Sequence, residues 1–263
     1  TRQMCHMLVT QAGETWTMNE RHLPLLNARF WVALCLASIF GANLGDFFAH
    51  NIGLGHIAGL PFLAVGFALI LVAERYDRGV RELYYWLAIV VIRTAATNIG
   101  DLLAGDLKWP RPWVMAGLAV LLAIVVAAIH QRRRRVGTDR RRELLTADSL
   151  YWIGMLLAGA LGTVIGDYVS HNLQLGDLTA SVALAIPLAL LFAIGSRGPL
   201  WWAPFFWLTV VVVRADGTVV GDWFAGRHML GLPLSTALSG LVFVALLLAW
   251  KDRGLRSALP ERV

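Results

Sequence analysis

The sequence predicts an all-α polytopic membrane protein of about eight transmembrane helices, arranged as four parallel two-helix repeats in two pseudo-twofold halves. Three observations carry this. Hydrophobic residues make up 57% of the 263-residue chain and the mean hydropathy is +0.62, more apolar than an ordinary soluble domain. Apolar runs of about 20 residues recur, the length a helix needs to cross about 30 Å of hydrocarbon. One polar cassette, small-x-x-x-Gly-Asp, appears four times inside those runs. Closed β-barrels also cross bilayers, but they are built from alternating segments of about ten residues, and this chain has continuous apolar runs.

The spans fall at 29–50, 57–74, 83–103, 113–130, 148–171, 178–195, 200–224 and 232–250. Residues 1–28 form a cytoplasmic leader, of which 1–17 read as polar and unstructured, with Met18 as a candidate start. No secretory signal precedes a soluble domain, and the first apolar segment is long enough to remain a true span. The first membrane half covers 29–130, an Arg-rich cytoplasmic linker 131–146, the second half 147–250 and a cytoplasmic tail 251–263. Cys5 and Cys35 are the only cysteines, and Cys35 falls within the first span, so a disulfide framework is not expected. Trp31, Trp86, Trp152 and Trp207 stand near span starts, where interfacial anchors sit.

Charge gives the orientation. Of 23 Lys and Arg, 18 lie in the termini and the loops near 75–82, 130–146 and 197, while Lys108, Arg111 and Arg227 lie on the opposite side. Cytoplasmic loops carry the excess of Lys and Arg, so both termini are expected in the cytoplasm. The basic balance then reflects topology and contact with anionic lipid. The run 131–142 is a short loop between spans, so nucleic acid is not an expected partner.

A shift of 121 residues lays the chain on itself. Trp31 meets Trp152, Gly45-Asp46 meets Gly166-Asp167, His50-Asn51 meets His171-Asn172, Arg93 meets Arg214 and Gly100-Asp101 meets Gly221-Asp222. Within each half the cassette recurs after 55 residues. An even number of spans per unit keeps every unit in one orientation, so these are parallel repeats about an axis along the membrane normal. All four cassettes then share a depth. Asp46 is 17 residues past Arg29, about 25 Å along a helix, which puts them in the outer half of the bilayer.

On the Thr-x-x-Gly-Asp core and its upstream aromatic residue, residues 29–250 resemble the bacterial integral membrane proteins built from four tandem copies of a short repeat of unknown function. Repeat 1 departs from the pattern, with Ala42 in place of Thr. The resemblance implies a bacterial cytoplasmic membrane location and supplies no activity.

Helical spacing sets the polar residues in stripes. Arg93, Thr97 and Asp101 stand at i, i+4 and i+8, as do Arg214, Thr218 and Asp222; Thr163, Asp167 and His171 repeat the spacing. Asn43, Asp46 and His50 stand at i, i+3 and i+7. Each stripe occupies one helix face, which should turn away from lipid. Glycine pairs four apart, Gly41/Gly45 and Gly162/Gly166, form faces that let helices approach closely, and Gly beside Asp also loosens the helix there. Asp46, Asp101, Asp167 and Asp222 against Arg93 and Arg214 leave two negative charges over, and Asp216 adds a third. Close carboxylates in a low dielectric must protonate, pair or hold a cation. Asp46, His50, Asp167 and His171 are the candidate metal ligands, a donor set suited to Mn²⁺, Fe²⁺, Zn²⁺ or Co²⁺. Buried Arg–Asp pairs that only fix packing are the competing reading of the same charges. Asp106, Arg227 and His228 are placed at an outer mouth.

The expected function is transport of a small ion, a divalent metal cation above all, with proton coupling as a variant and no resident cofactor. The rivals are an anion carrier with Arg93 and Arg214 as ligands, a haem-binding redox protein using His50 and His171, and a structural scaffold. Lys108 and Lys251 lie outside span cores, which argues against a retinal protein, and Ser is too scarce in the spans for a hydrolase. Lipid and a small ion or solute are the expected partners, and oligomer formation is left open.

Overall fold

The long apolar runs fold as eight helices, described for residues 24, 26–77, 82–136, 147–195, 203–226 and 229–257 in a computed structural model. They are α1 (Ala28–Asp46), α2 (Gly55–Tyr76), α3 (Glu82–Asp101), α4 (Arg111–Val136), α5 (Ser149–Asp167), α6 (Asp177–Gly195), α7 (Ala203–Ala225) and α8 (Leu232–Ser257). All eight are long and apolar enough to cross a membrane, and there is no strand among the described residues. The fold is that of an all-helical polytopic membrane protein. Equivalent caps open the two halves. The side chain of Asn27 accepts from the Phe30 amide at 3.1 Å, and Asp148 from the Tyr151 amide at 2.9 Å, each satisfying an otherwise orphaned donor.

Two helix ends differ from expectation. α4 continues through the arginines to Val136, past 130, and α8 runs to Ser257, past 250. Hydropathy marks where the bilayer ends, but nothing in those polar residues breaks a helix. Arg132 then reaches Asp148 at 2.9 Å and ties the end of the first half to the start of the second. Most of the leader and linker, the loops around 80 and 200, the last six residues, and Arg227 and His228 lie outside the described residues.

Helices α1, α3, α5 and α7 form an inner ring. Each packs on the next, and α7 closes on α1. Each outer helix rests on the inner helix of the following repeat: α2 on α3, α4 on α5, α6 on α7 and α8 on α1. The apolar cores of the inner spans are 50–67% buried and those of the outer spans 11–22%, so the outer ring meets lipid through residues such as Phe62, Leu69 and Ile124. The parallel repeats thus wind around one axis with fourfold character, and the two halves are its half-turns.

The ring is tight because small residues face it. A Cβ added at Gly45 would touch Thr97, at Gly100 Thr163, at Gly166 Thr218 and at Gly221 Asn43. Each Gly-Asp glycine therefore seats the following repeat, which accords with the packing role of small residues in membranes.

At the end where the inner helices begin, an aromatic plug closes the axis. Phe30, Tyr85, Tyr151 and Phe206, one per repeat, lie with neighbouring ring centroids 6.3–6.4 Å apart. The tryptophans that follow them pack into the same layer. Trp31, Trp86, Trp152 and Trp207 are only 2–5% exposed, so they are core residues and not interfacial anchors. The reason is the outer ring, which places the starts of the inner spans among protein neighbours. Trp113, at the start of an outer helix and 77% exposed, occupies the anchor position instead.

Replacing Gly162 by Ala sets a methyl 2.9 Å from the Ala215 backbone nitrogen, so α5 and α7 must separate. The variant is expected to lose about 1–3 kcal/mol in thermal unfolding in detergent, as overpacked cores do. Gly117→Ala, where the added carbon meets open space, should lose none of that stability.

Candidate functional site

The polar stripes ride on the inner helices and converge on the axis. Lowest is Arg93, fully buried. Its Nε donates to the Ser38 carbonyl at 3.3 Å. One terminal nitrogen donates to the Thr97 and Thr163 hydroxyls at 2.9 and 2.8 Å. The other donates to the Thr218 hydroxyl at 2.6 Å and the Arg214 carbonyl at 3.3 Å. All five guanidinium N–H groups are thereby used. Thr97 and Thr218 send their own hydroxyl protons back to the carbonyls of Arg93 and Arg214, which leaves their lone pairs to the guanidinium.

The buried Arg–Asp pairs of the competing packing reading are not formed. Among the described residues no carboxylate pairs with Arg93 or Arg214. Neutral oxygens from four helices reach Arg93 first, because the threonines stand one turn closer to it than the aspartates do. Arg214 lies off this cage, and its three nitrogens have no acceptor among the described residues.

Above Arg93 the ring widens into a cavity of about 440 Å³. Asp46, Asp101, Asp167 and Asp222 all line it, above a floor made by Thr97, Thr163 and Thr218. His50 and His171, both exposed, stand at its rim. The four carboxylates therefore share one chamber. Two of the expected residues stand elsewhere. Asn43 donates to the Ser235 hydroxyl at 2.6 Å and so joins α1 to α8, away from the chamber wall. Asp216 does not line the chamber either.

The helices change pitch where the chamber opens. Directly after Asp46, Asp101 and Asp167 the chain takes a π-helical turn, at Phe47–Asn51, Leu102–Asp106 and Tyr168–Asn172. Such i→i+5 turns are rare and gather at functional positions. His50, Gly105 and His171, four residues beyond those aspartates and within these turns, line the cavity.

The chamber also holds residues that sequence reasoning missed, His56 and Arg111. His56 Nδ1 lies 2.8 Å from an Asp106 carboxylate oxygen, and its Nε2 is 4.0 Å from Asp101. His56 so links the exposed mouth to the buried wall, and its ring meets that of His50 edge-on at 5.4 Å. A signal was present: the tenth residue after each cassette Asp is His56, Arg111, Asp177 and Leu232, polar in three of four repeats. Reading only the inner-span stripes misses it, because this position opens the next helix.

Charge in the chamber is unbalanced. Counted as formal charges with every group ionised, the four aspartates against Arg93 beneath and Arg111 at the wall leave two negative charges, as the sequence count had it but with Arg111 in the place of Arg214. A cavity of 440 Å³ has room for on the order of ten waters, far more than a bare ion needs. Asp46, His50, Asp167 and His171 all line it, yet among the described residues no three His, Cys, Asp or Glu side chains converge closely enough to hold a metal ion. His50 Nδ1 is instead 3.1 Å from the Asp46 carbonyl, and His171 Nε2 lies 4.0 Å from Asp177. The chamber suits an ion that keeps much of its water, held by field and outer-sphere hydrogen bonds.

A family description, Repeat of Unknown Function (DUF347), matches residues 29–78, 84–135, 150–197 and 205–253, one match per repeat. No curated protein and no solved structure matches the chain.

Thr163→Val keeps shape but removes one acceptor from a buried guanidinium. Its expected cost is about 1–3 kcal/mol in thermal unfolding. Thr94→Val, at a hydroxyl that returns to the Val90 carbonyl of its own helix, should cost distinctly less.

Proposed function

The chain belongs to the DUF347 repeat family, and from the chemistry of its chamber we propose that it transports a small cation, above all a hydrated divalent metal ion, across the bacterial cytoplasmic membrane. One observation carries the reading: four carboxylates, one from each repeat, line a single cavity on the axis of eight apolar helices. Intramembrane carboxylates are costly, and a chain that only needed to pack would have no reason to gather four around water-sized space. The surplus of two negative charges matches a divalent ion. Asp and Thr oxygens with imidazoles at the rim offer hydrogen bonds to its remaining water.

The excess of Lys and Arg in the loops near 75–82 and 130–146 supports cytoplasmic termini, and in that orientation the chamber opens to the outside. Inward passage is blocked twice, by the Arg93–threonine floor and by the aromatic plug. Transport then requires the inner ring to open below as it closes above, and the small-residue contacts between inner helices are where such sliding is cheapest. His56, bonded to Asp106 and near Asp101, is placed to exchange protons between the mouth and the chamber. That position supports the proton-coupled variant of the reading. An anion carrier that uses the arginines as ligands from this side is disfavoured, because Arg93 has already spent all five donors.

The test is flux of Mn²⁺, Zn²⁺ and Co²⁺ into proteoliposomes, with folding checked by size-exclusion chromatography. Asp46→Asn/Asp167→Asn should cut flux about tenfold or more, since each removes a charge from the site. Absence of cation flux in the folded wild type would sink the proposal.

A further inference from the structure

Arg93 and Arg214 are the same residue of two half-repeats, 121 positions apart, and both are fully buried. They are treated in opposite ways. Arg93 uses every donor, whereas Nε and both terminal nitrogens of Arg214 have no acceptor among the described residues. The cause is one residue. The half-turn that maps Arg93 onto Arg214 maps Thr97 onto Thr218, Thr218 onto Thr97 and Thr163 onto Ala42. In the equivalent pose Arg214 would need two hydroxyls that Arg93 already holds, and would find a methyl group in place of the third. The cage admits one guanidinium, and Ala42 decides which.

Excluded from the cage, Arg214 is fully buried without a hydrogen-bond acceptor among the described residues. Apart from Arg93, its strongest electrostatic neighbours are Tyr85, Tyr151 and Cys35, while those of Arg93 are the four chamber aspartates. The Tyr85 and Tyr151 hydroxyls are buried and 2.6 Å apart. One proton lies between them and the other is free to be donated. This end of the axis therefore gathers N–H and O–H donors around a cation that no carboxylate pairs with. An unpaired buried charge is among the costliest groups a protein can hold. Water would satisfy the donors but leave the charge; an anion answers both.

We propose that Arg214, with the Tyr85–Tyr151 hydroxyl pair, binds a small monovalent anion of the halide class between the threonine cage and the aromatic plug. The site is separate from the carboxylate chamber, and it stands whether or not that chamber carries a cation.

The experiment titrates the purified full chain in detergent with iodide and then chloride, reading tryptophan fluorescence. Trp86, Trp152 and Trp207 lie with ring centroids 5.1–5.8 Å from Tyr85 or Tyr151, so a bound iodide quenches them saturably and chloride reverses the effect. Exposed Trp109 and Trp113 give only collisional quenching, which does not saturate. Arg214→Gln should weaken the saturable component about tenfold or more, as loss of a charged donor does. Tyr85→Phe/Tyr151→Phe should weaken it less, and Asp46→Asn/Asp167→Asn should leave it unchanged. No saturable component in the folded wild type means water alone fills the space, and overturns the proposal. Full halide affinity in Arg214→Gln, or loss of the signal with the aspartates, overturns it as well. Should Arg214→Gln not fold, the wild-type titration and the double tyrosine variant decide, full affinity in the latter counting against the site.

Discussion

The guanidinium of Arg93 sits where the four repeats meet, and every repeat gives it an acceptor: the Ser38 carbonyl, the Thr97 and Thr163 hydroxyls, and the Thr218 hydroxyl with the Arg214 carbonyl. In a bilayer there is no hydrophobic force to press helices together, so directional bonds and close packing must fix the ring. A planar fork with five donors is suited to bind helices on several sides at once, which the point charge of a lysine is not. The rest of the architecture is arranged to make that convergence possible. Glycines at the cassette positions bring the inner helices near enough for short side chains to reach the centre, and the outer helices wrap the ring so that its polar interior never meets lipid.

The same convergence divides the axis by charge. Above the cage the chain has placed four carboxylates, and Arg93 beneath them offsets one without contacting any. Its hydrogen bonds are spent on neutral oxygens, so the carboxylates stay available to whatever enters the chamber. Below the cage lies the second arginine. Among the described residues it has no carboxylate partner, and its guanidinium nitrogens have no acceptor. Four carboxylates around a chamber above the cage, and a buried arginine outside the cage that no carboxylate pairs with among the described residues, make a charge arrangement that packing alone does not call for.

Symmetry and its breaking both have work to do here. Four repeats from one pattern give four equivalent aspartates, and equivalence is what lets them share a cavity. A strictly fourfold chain would also place identical groups at every level, and two guanidiniums cannot fill one cage. Ala42, His56, Arg111 and Leu232 are the departures that differentiate the quadrants. The first selects the arginine that is bound; His56 and Arg111 add different groups to the chamber, and Leu232 holds the same position in the fourth repeat.

Much of this was legible in the chain itself. Length and apolarity fixed eight spans, because only a helix satisfies its own backbone in hydrocarbon. The constant offset of 121 residues fixed parallel repeats and required that Asp46, Asp101, Asp167 and Asp222 share a depth. What a sequence cannot hold is the order of the ring: each outer helix rests on the next repeat's inner helix, and that arrangement buried the tryptophans that sit where anchors would and moved Asn43 into a helix contact. Nor does it hold distance across the axis. One reading of the charges paired Arg93 with aspartate, since opposite charges attract, but three threonines from different repeats lie nearer, and hydrogen-bond geometry outranks formal charge at contact range. His56 and Arg111 escaped for a related reason: they open the following helices, and only the turn between spans carries them back to the chamber that the cassettes define.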